Sequence, residues 1–314
     1  MKNGVISLGE ALIDFIPMDA SNTTYQKSPG GAPANVAVGA ARLGVPVHFL
    51  GKVGNDVLGT FLKETLTDYG VQTDAMTLTD EARTGAVFVT LADNGERSFD
   101  FYIQPSADTF LSEQELSDEL FQTNKILHFG SISLIREPAK SATIAAVKKA
   151  KESGMMISYD PNLRLNLWDS EKQAREAIIS MLPEADVLKI SEEELTFLTG
   201  ETDVEAGVKK LASYHIPLIF ITLGGEGSYA FVGKETIRIP AMKVQAVDTT
   251  GAGDAFVSGI LYHLNEYKKE LSHLTIHEAA EMGRFASVSG GLAASVKGAM
   301  TALPTLQQVK KQLS

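Results

Sequence analysis

Apolar and polar positions along this chain follow two rhythms. Short, nearly continuous apolar runs alternate with stretches in which apolar residues recur every three or four positions. The run 45–50 precedes a helical pattern over 56–69, 126–129 precedes 137–152, 155–159 precedes 171–182, and 186–190 precedes 192–198. A strand buried on both faces is apolar throughout, whereas a covering helix is apolar along one stripe, so this alternation predicts a parallel α/β layer. It continues with a helix over 204–214 before a strand at 218–222, and two long late helices at about 253–265 and 277–295. Two segments, 11–17 and 85–103, alternate polar and apolar residues one by one, like antiparallel strands, with Asn94-Gly95 placed as a hairpin turn. They read as a small sheet outside the main core, either a flap over a ligand or an ordinary edge hairpin.

Composition narrows the picture. The 314 residues suit one large α/β domain over 1–314 with a small lid. The formal net charge of −11 offers no basic field for nucleic acid or an acidic membrane, so any phosphate must be held locally. There are no cysteines, no apolar leader before the strand-like 5–8, and no run approaching the roughly 18 apolar residues of a membrane span. The expectation is a cytoplasmic protein.

The chemistry concentrates at Asp248-Thr249-Thr250-Gly251-Ala252-Gly253-Asp254, which runs into an apolar helix. Small residues at a helix N-terminus let backbone amides approach an anion, and the macrodipole favours negative charge there. A carboxylate beside such a nest is unfavourable unless it has a task, such as accepting a proton from an attacking hydroxyl. Alone, the segment also fits a capped helix with Asp254 complementing the dipole.

A second glycine turn, Pro29-Gly30-Gly31, feeds a helix of small residues over 32–44 interrupted by Asn35, either a local backbone binder or a buried amide presented to ligand hydroxyls. A third, at 221–227, ends a strand in Gly224-Gly225-Glu226-Gly227, where a nucleotide or a plain turn would fit. The Rossmann G-x-G-x-x-G does not follow the first strand, and neither a Walker A lysine motif nor a G-x-S-x-G elbow occurs. His273 and His277 read as surface residues, and Glu192-Glu193-Glu194 as a charged helix start.

Together the segments 30–44 and 248–259 (DTTGAGDAFVSG) resemble the two signatures of the ribokinase-like, pfkB carbohydrate kinases, and the resemblance covers nearly the whole chain. Gly9-Glu10-Ala11-Leu12-Ile13-Asp14, Asp160-Pro161-Asn162-Leu163-Arg164 and 189–200 (KISEEELTFLTG) are similar to its fructokinase branch. The resemblance implies a central, mostly parallel sheet flanked by helices, with a β lid that in many members also forms a dimer contact, so a homodimer is a candidate assembly. It implies ATP and Mg²⁺ as cofactors and fructose as the acceptor, phosphorylated on the 6-hydroxyl, with the 1-hydroxyl as alternative.

Carried over by position, Asp254 is the catalytic base and the amides of Gly251, Ala252 and Gly253 form the anion hole. Asp14, Gly30, Gly31, Asn35, Arg97 and Arg164 fall on the sugar side; Thr222, Gly224, Gly225, Gly227 and Glu194 fall on the nucleotide side. Asp248 with carbonyls of Thr250, Ala293, Val296 and Gly298 falls where many members hold a monovalent cation such as K⁺, although Ala302 stands where some have serine. Ser191 likewise replaces the asparagine of the family's N-x-x-E motif, which leaves Glu194 a water-mediated role. The rival readings are a 2-keto-3-deoxygluconate kinase, a nucleoside kinase and a catalytically silent sugar sensor.

Overall fold

The computed structural model describes residues 2–91 and 97–313. In chain order the strands are β1 (Val5–Leu8), β2 (Leu12–Pro17), β3 (Tyr25–Gly30), β4 (Val47–Gly54), β5 (Met76–Thr79), β6 (Gly85–Leu91), β7 (Arg97–Phe101), β8 (Ile126–Phe129), β9 (Met156–Tyr159), β10 (Val187–Ser191), β11 (Leu218–Thr222), β12 (Ser228–Val232) and β13 (Glu235–Ile239). The helices are α1 (Ala32–Arg42), α2 (Val57–Asp68), α3 (Asp118–Thr123), α4 (Ala139–Glu152), α5 (Glu171–Met181), α6 (Glu192–Thr199), α7 (Val204–Leu211), α8 (Ala252–Glu266), α9 (Ile276–Ala294) and α10 (Leu306–Leu313).

Nine strands form the main sheet in the order β13-β12-β11-β10-β9-β8-β1-β4-β5, parallel from β11 to β5 and antiparallel at the β12 and β13 edge. Successive side chains of a strand point to opposite faces, and the strands divide their residues accordingly. Val5 of β1 packs with α1, α8 and α9, while Ile6 and Leu8 pack with α4 and α5 on the other face. The same alternation sends Leu188 and Ile190 of β10 one way and Val187 the other, so Lys189 shares the face of Val187.

Helix starts follow from local side chains. Asp56 accepts from the amides of Leu58 and Gly59 ahead of α2, and Ser191 with Glu194 makes a reciprocal capping box at α6. On the α1 face, small residues bring backbones together: a Cβ added to Gly259 of α8 would lie 2.8 Å from Ala286 Cα of α9.

The four-stranded second sheet has the order β3-β2-β6-β7. The expected strands at 11–17 and 85–103 are there, but β2 and β6 pair in parallel. The antiparallel partner of β2 is β3, which the glycine turn at 29–31 had concealed, because a strand ending in Ser28-Pro29-Gly30 lacks an apolar signature. The Asn94-Gly95 turn lies outside the described residues. His273 and His277 fall in different elements and are exposed. Among the described residues, no helix is long and apolar enough to cross a membrane.

Candidate active site

The site forms where the carboxyl edge of the parallel strands meets the N-termini of α1 and α8. Gly251 starts α8 in a left-handed conformation (φ 78°), and Ala252 N–H closes that turn onto Thr249 O at 3.2 Å. The amides of Gly251 and Gly253 have no partner among the described residues, so two of the three amides assigned from the sequence are left at the positive end of the helix. Asp254 follows in the first turn. Its Oδ2 accepts a hydrogen bond of 2.8 Å from Asn35 Nδ2 of α1, and Asn35 Oδ1 is buried without a partner among the described residues. Burial pushes the Asp254 carboxyl up to about 6, with Asp160 adding to the rise and the Asn35 bond, Lys189 and Arg164 opposing it.

Asp14 belongs to β2 of the small sheet, opposite Ser28 of β3. Burial raises its pKa to about 6, opposed by Arg164 and increased by Asp254, which puts all three groups in one field. Gly30 gives Asp14 its space, since a Cβ there would lie 2.3 Å from Asp14 Oδ2. Gly31 has φ 98° and lies so close to Glu10 that a Cβ would be 2.5 Å from its carbonyl oxygen. Asp14, Gly30, Gly31, Asn35, Arg164 and Asp254 therefore converge, whereas the side chain of Arg97 lies outside the described residues.

Sequence reasoning quoted Lys189 and Asp160 without giving them a role. Lys189 Nζ is 3.0 Å from Asp160 Oδ2, both side chains nearly buried, and 3.5 Å from where a Cβ on Gly253 would sit. Burial pulls the ammonium down, but Asp160, Glu194 and Asp254 outweigh it and hold its pKa above the usual value. On the neighbouring strands the same sheet face carries Ser158 and His128, the latter forced down to about 3 by burial and by Lys189. The signal was available: a lysine inside Val187-Leu188-Lys189-Ile190 is a polar residue at a position that a buried strand fills with apolar ones.

A cleft of about 600 Å³ opens beside the α8 N-terminus, with Thr222, Gly224, Gly225 and Gly227 on one wall, Ala252 and Gly253 at its end, and Gly290 and Gly291 of α9 opposite. The four residues after β11 expected on the nucleotide side thus line one cleft, but Glu194 is not among them. Its carboxylate accepts from Leu163 N–H at 2.7 Å and Ser191 N–H at 2.8 Å, and burial raises its pKa against the pull of Lys189. It lines the adjoining hollow with Lys189 and Arg164, and Glu193 faces both spaces. Behind α8, the buried Asp248 accepts from Thr250 N–H (3.0 Å) and Gly298 N–H (3.1 Å), while Val296 N–H donates to Ala293 O (3.2 Å). The residues expected around a monovalent cation are therefore contiguous.

A deep cleft that ends on helix-terminal amides, with a buried cation at that end and a carboxylate just beyond, has the layout of a site that moves a phosphoryl group between two bound partners. The chain belongs to the pfkB family of carbohydrate kinases, whose family model matches residues 2–306. It is 49% identical over 317 residues to a probable chloroplastic fructokinase-6 of Arabidopsis thaliana, covering 98% of this chain and 82% of that protein. Among solved structures it is similar to a Vibrio cholerae fructokinase with fructose, ADP and calcium bound (TM-score 0.92, 40% identity, 99% of each chain). It is similar also to Salmonella enterica aminoimidazole riboside kinase complexed with aminoimidazole riboside and an ATP analogue (TM-score 0.89, 33% identity, 99% of this chain and 100% of that one).

Proposed function

We propose that the protein transfers the γ-phosphoryl group of ATP to the 6-hydroxyl of fructose. The observation that carries this reading is Asn35, whose amide nitrogen holds the carboxylate of Asp254 while its unpaired oxygen offers a buried acceptor to a sugar hydroxyl. Asp14, Gly30 and Gly31 supply the rest of the sugar cradle, with the lid closing over it to exclude water. Arg164 stands at its rim, and Arg97 at the start of β7 is the further lid candidate. The nucleotide runs along Thr222, Gly224, Gly225 and Gly227 toward Gly253.

The primary hydroxyl attacks the γ-phosphorus in line, and Asp254 accepts its proton. A largely dissociative transition state asks little of the base, so a carboxylate of pKa about 6 suffices if it lies within hydrogen-bond reach. The amides of Gly251 and Gly253 and the ammonium of Lys189 stabilise charge on the transferred group.

Mg²⁺ would come with the nucleotide phosphates, where Glu193, which lines the cleft, would hold its waters and Glu194, engaged by two backbone amides, would act from the adjoining hollow. It supplies neutralisation of phosphate charge. Asp248 and the carbonyls of Thr250, Ala293, Val296 and Gly298 form an oxygen donor set suited to K⁺, which would stiffen the turn before α8. We read the chain as a single kinase domain with its lid, working in the cytoplasm, where a protein without cysteines needs no oxidising environment.

The test is ADP release with Mg·ATP against fructose, ribose, 2-keto-3-deoxygluconate, adenosine, inosine and aminoimidazole riboside. A fructose kcat/KM at least about tenfold above the others, about 1.4 kcal/mol of transition-state discrimination, supports the reading. A lead by another acceptor replaces the substrate, and sugar binding without turnover replaces the activity with sensing.

A further inference from the structure

The chain crosses between the core and the small sheet at 9–11, at Gly31, at 80–84 and at 102–106. One carboxylate holds the third crossing. Asp56 caps α2 by accepting through Oδ1 from Leu58 N–H at 3.0 Å and Gly59 N–H at 2.9 Å. Its Oδ2 reaches across to Thr84 N–H at 2.9 Å, and its Oδ1 also accepts from the Thr84 hydroxyl at 2.8 Å. Thr84 is buried, and its Oγ1 accepts from Gly54 N–H, at the end of β4, at 3.0 Å. The three segments are pressed together: a Cβ on Gly54 would lie 2.4 Å from Asp56 Oδ2 and 2.6 Å from Thr84 N. The fourth crossing is tied to the same segment, because Ala107 N–H donates to Arg83 O at 2.8 Å.

We propose that Asp56 is a positioning residue for the acceptor sugar: its carboxylate clamps the small sheet to α2 and β4, and through the register of β6 with β2 it sets the place of Asp14 in the cradle. The proposal rests on the assignment of that cradle to the sugar.

Helix capping alone does not account for this carboxylate. Asp203 caps α7 by accepting from Ala206 N–H at 2.8 Å, whereas the second oxygen of Asp56 serves a strand of another sheet. Burial pushes the Asp56 carboxyl up, but its bonds to Thr84, Gly59 and Leu58 outweigh that and hold it below its ordinary value, so the clamp is made of charge-assisted bonds, the stronger kind. The register carries the effect onward. β6 starts at Gly85, directly after Thr84, with Gly85 opposite Leu12 and Val87 opposite Asp14. A paired strand cannot slide past its neighbour without breaking the ladder, so a shift at Thr84 moves Asp14 with it. α2 is also a seat for the sheet, since Lys27 Nζ of β3 lies 3.6 Å from the centre of the Phe61 ring. Asp56 thus fixes the seat and the strand relative to each other.

The experiment is steady-state kinetics with the acceptor that leads the panel above, expected to be fructose. Asp56→Asn keeps α2 capped, because asparagine caps as well as aspartate, but its single oxygen cannot serve both the helix amides and Thr84 N–H. KM for the acceptor should rise about tenfold, with kcat and KM for ATP within about twofold of native. Thr84→Val should raise the same KM about threefold while Thr84→Ser, which keeps the hydroxyl, should match native, and this pair decides the matter if Asp56→Asn does not fold. Asp203→Ala removes the cap of α7, which packs against α6, and should leave both KM values unchanged. In an Asp14→Asn background, where the group being placed is already altered, adding Asp56→Asn should change the acceptor KM by less than about twofold. A native acceptor KM in folded Asp56→Asn, an equal rise for ATP, or an equal rise in Asp203→Ala overturns the proposal. So does a tenfold effect that persists beside Asp14→Asn, or a Thr84→Val enzyme that matches Thr84→Ser. Absence of turnover with every acceptor in the native protein overturns the function reading instead, so the two failures are distinguishable.

Discussion

Replacing Asn35 by alanine tests the core of the site, because it separates the two jobs of one side chain. In the fold Asn35 Nδ2 donates 2.8 Å to Asp254 Oδ2 and thereby favours the ionised base. A hydrogen bond to a charged group contributes about 1.5–3 kcal/mol, and one pKa unit corresponds to about 1.4 kcal/mol, so its loss should raise the Asp254 pKa by about 1–2 units. A water entering the vacated space recovers part of this, which favours the lower end. The sign follows from the role proposed for Asp254: a general base works when ionised, so kcat should climb through a limb near pH 6 in the native protein and near pH 7 or above in Asn35→Ala. The assay is kcat for fructose phosphorylation at saturating Mg·ATP from pH 5 to 8.5. KM for fructose should rise independently, since the buried Oδ1 acceptor is lost as well. If the folded variant keeps its acid limb where the native enzyme has it, Asn35 does not set the strength of the base and the reasoning fails.

Asp254→Asn should lower kcat by about 10²–10⁴ while leaving ATP and fructose binding measurable by calorimetry; an unchanged kcat removes Asp254 as the base. Lys189→Met should lower kcat by about 10² and also lower the melting temperature, because Asp160 is left buried without its partner. Adding Asp160→Asn should restore the melt and not the rate, and recovery of both would make Lys189 purely structural. Gly30→Ala should raise KM for fructose with kcat largely kept, since its methyl group would displace Asp14 from 2.3 Å away; steady-state kinetics with an unchanged fructose KM would remove Asp14 from the cradle.

The central sheet was legible because buried parallel strands and their covering helices carry opposite apolar rhythms, and each run from 45–50 to 218–222 corresponds to a strand in the expected order. The small strands were less so. β3 contains Gln26, Lys27, Ser28 and Pro29, and its strand character comes from pairing with β2 rather than from its own residues. The parallel pairing of β2 with β6 was hidden because the local alternation is the same for either direction. In the site, glycines and Asp254 stood out as a contiguous motif. Lys189 and Asp160 did not, since each owes its importance to a neighbour distant in the chain. Glu194 sits at the position marked by the motif, yet its two oxygens are engaged by backbone amides, a fact that no spacing reveals.

The close stacking of α1, α8 and α9 carries a consequence for divergence. Where Gly259 leaves no space for a side chain against Ala286, α8 rests on α9 backbone to backbone, while α1 meets α8 where Gly39 makes room for Ser258, whose hydroxyl donates to Val36 O at 3.2 Å. Substitutions in that stack are therefore felt at Asp254, while the strands of the small sheet act on it through the field of Asp14. A scaffold divided in this way can take on new acceptors through changes in its lid and inherit the phosphoryl-transfer machinery intact.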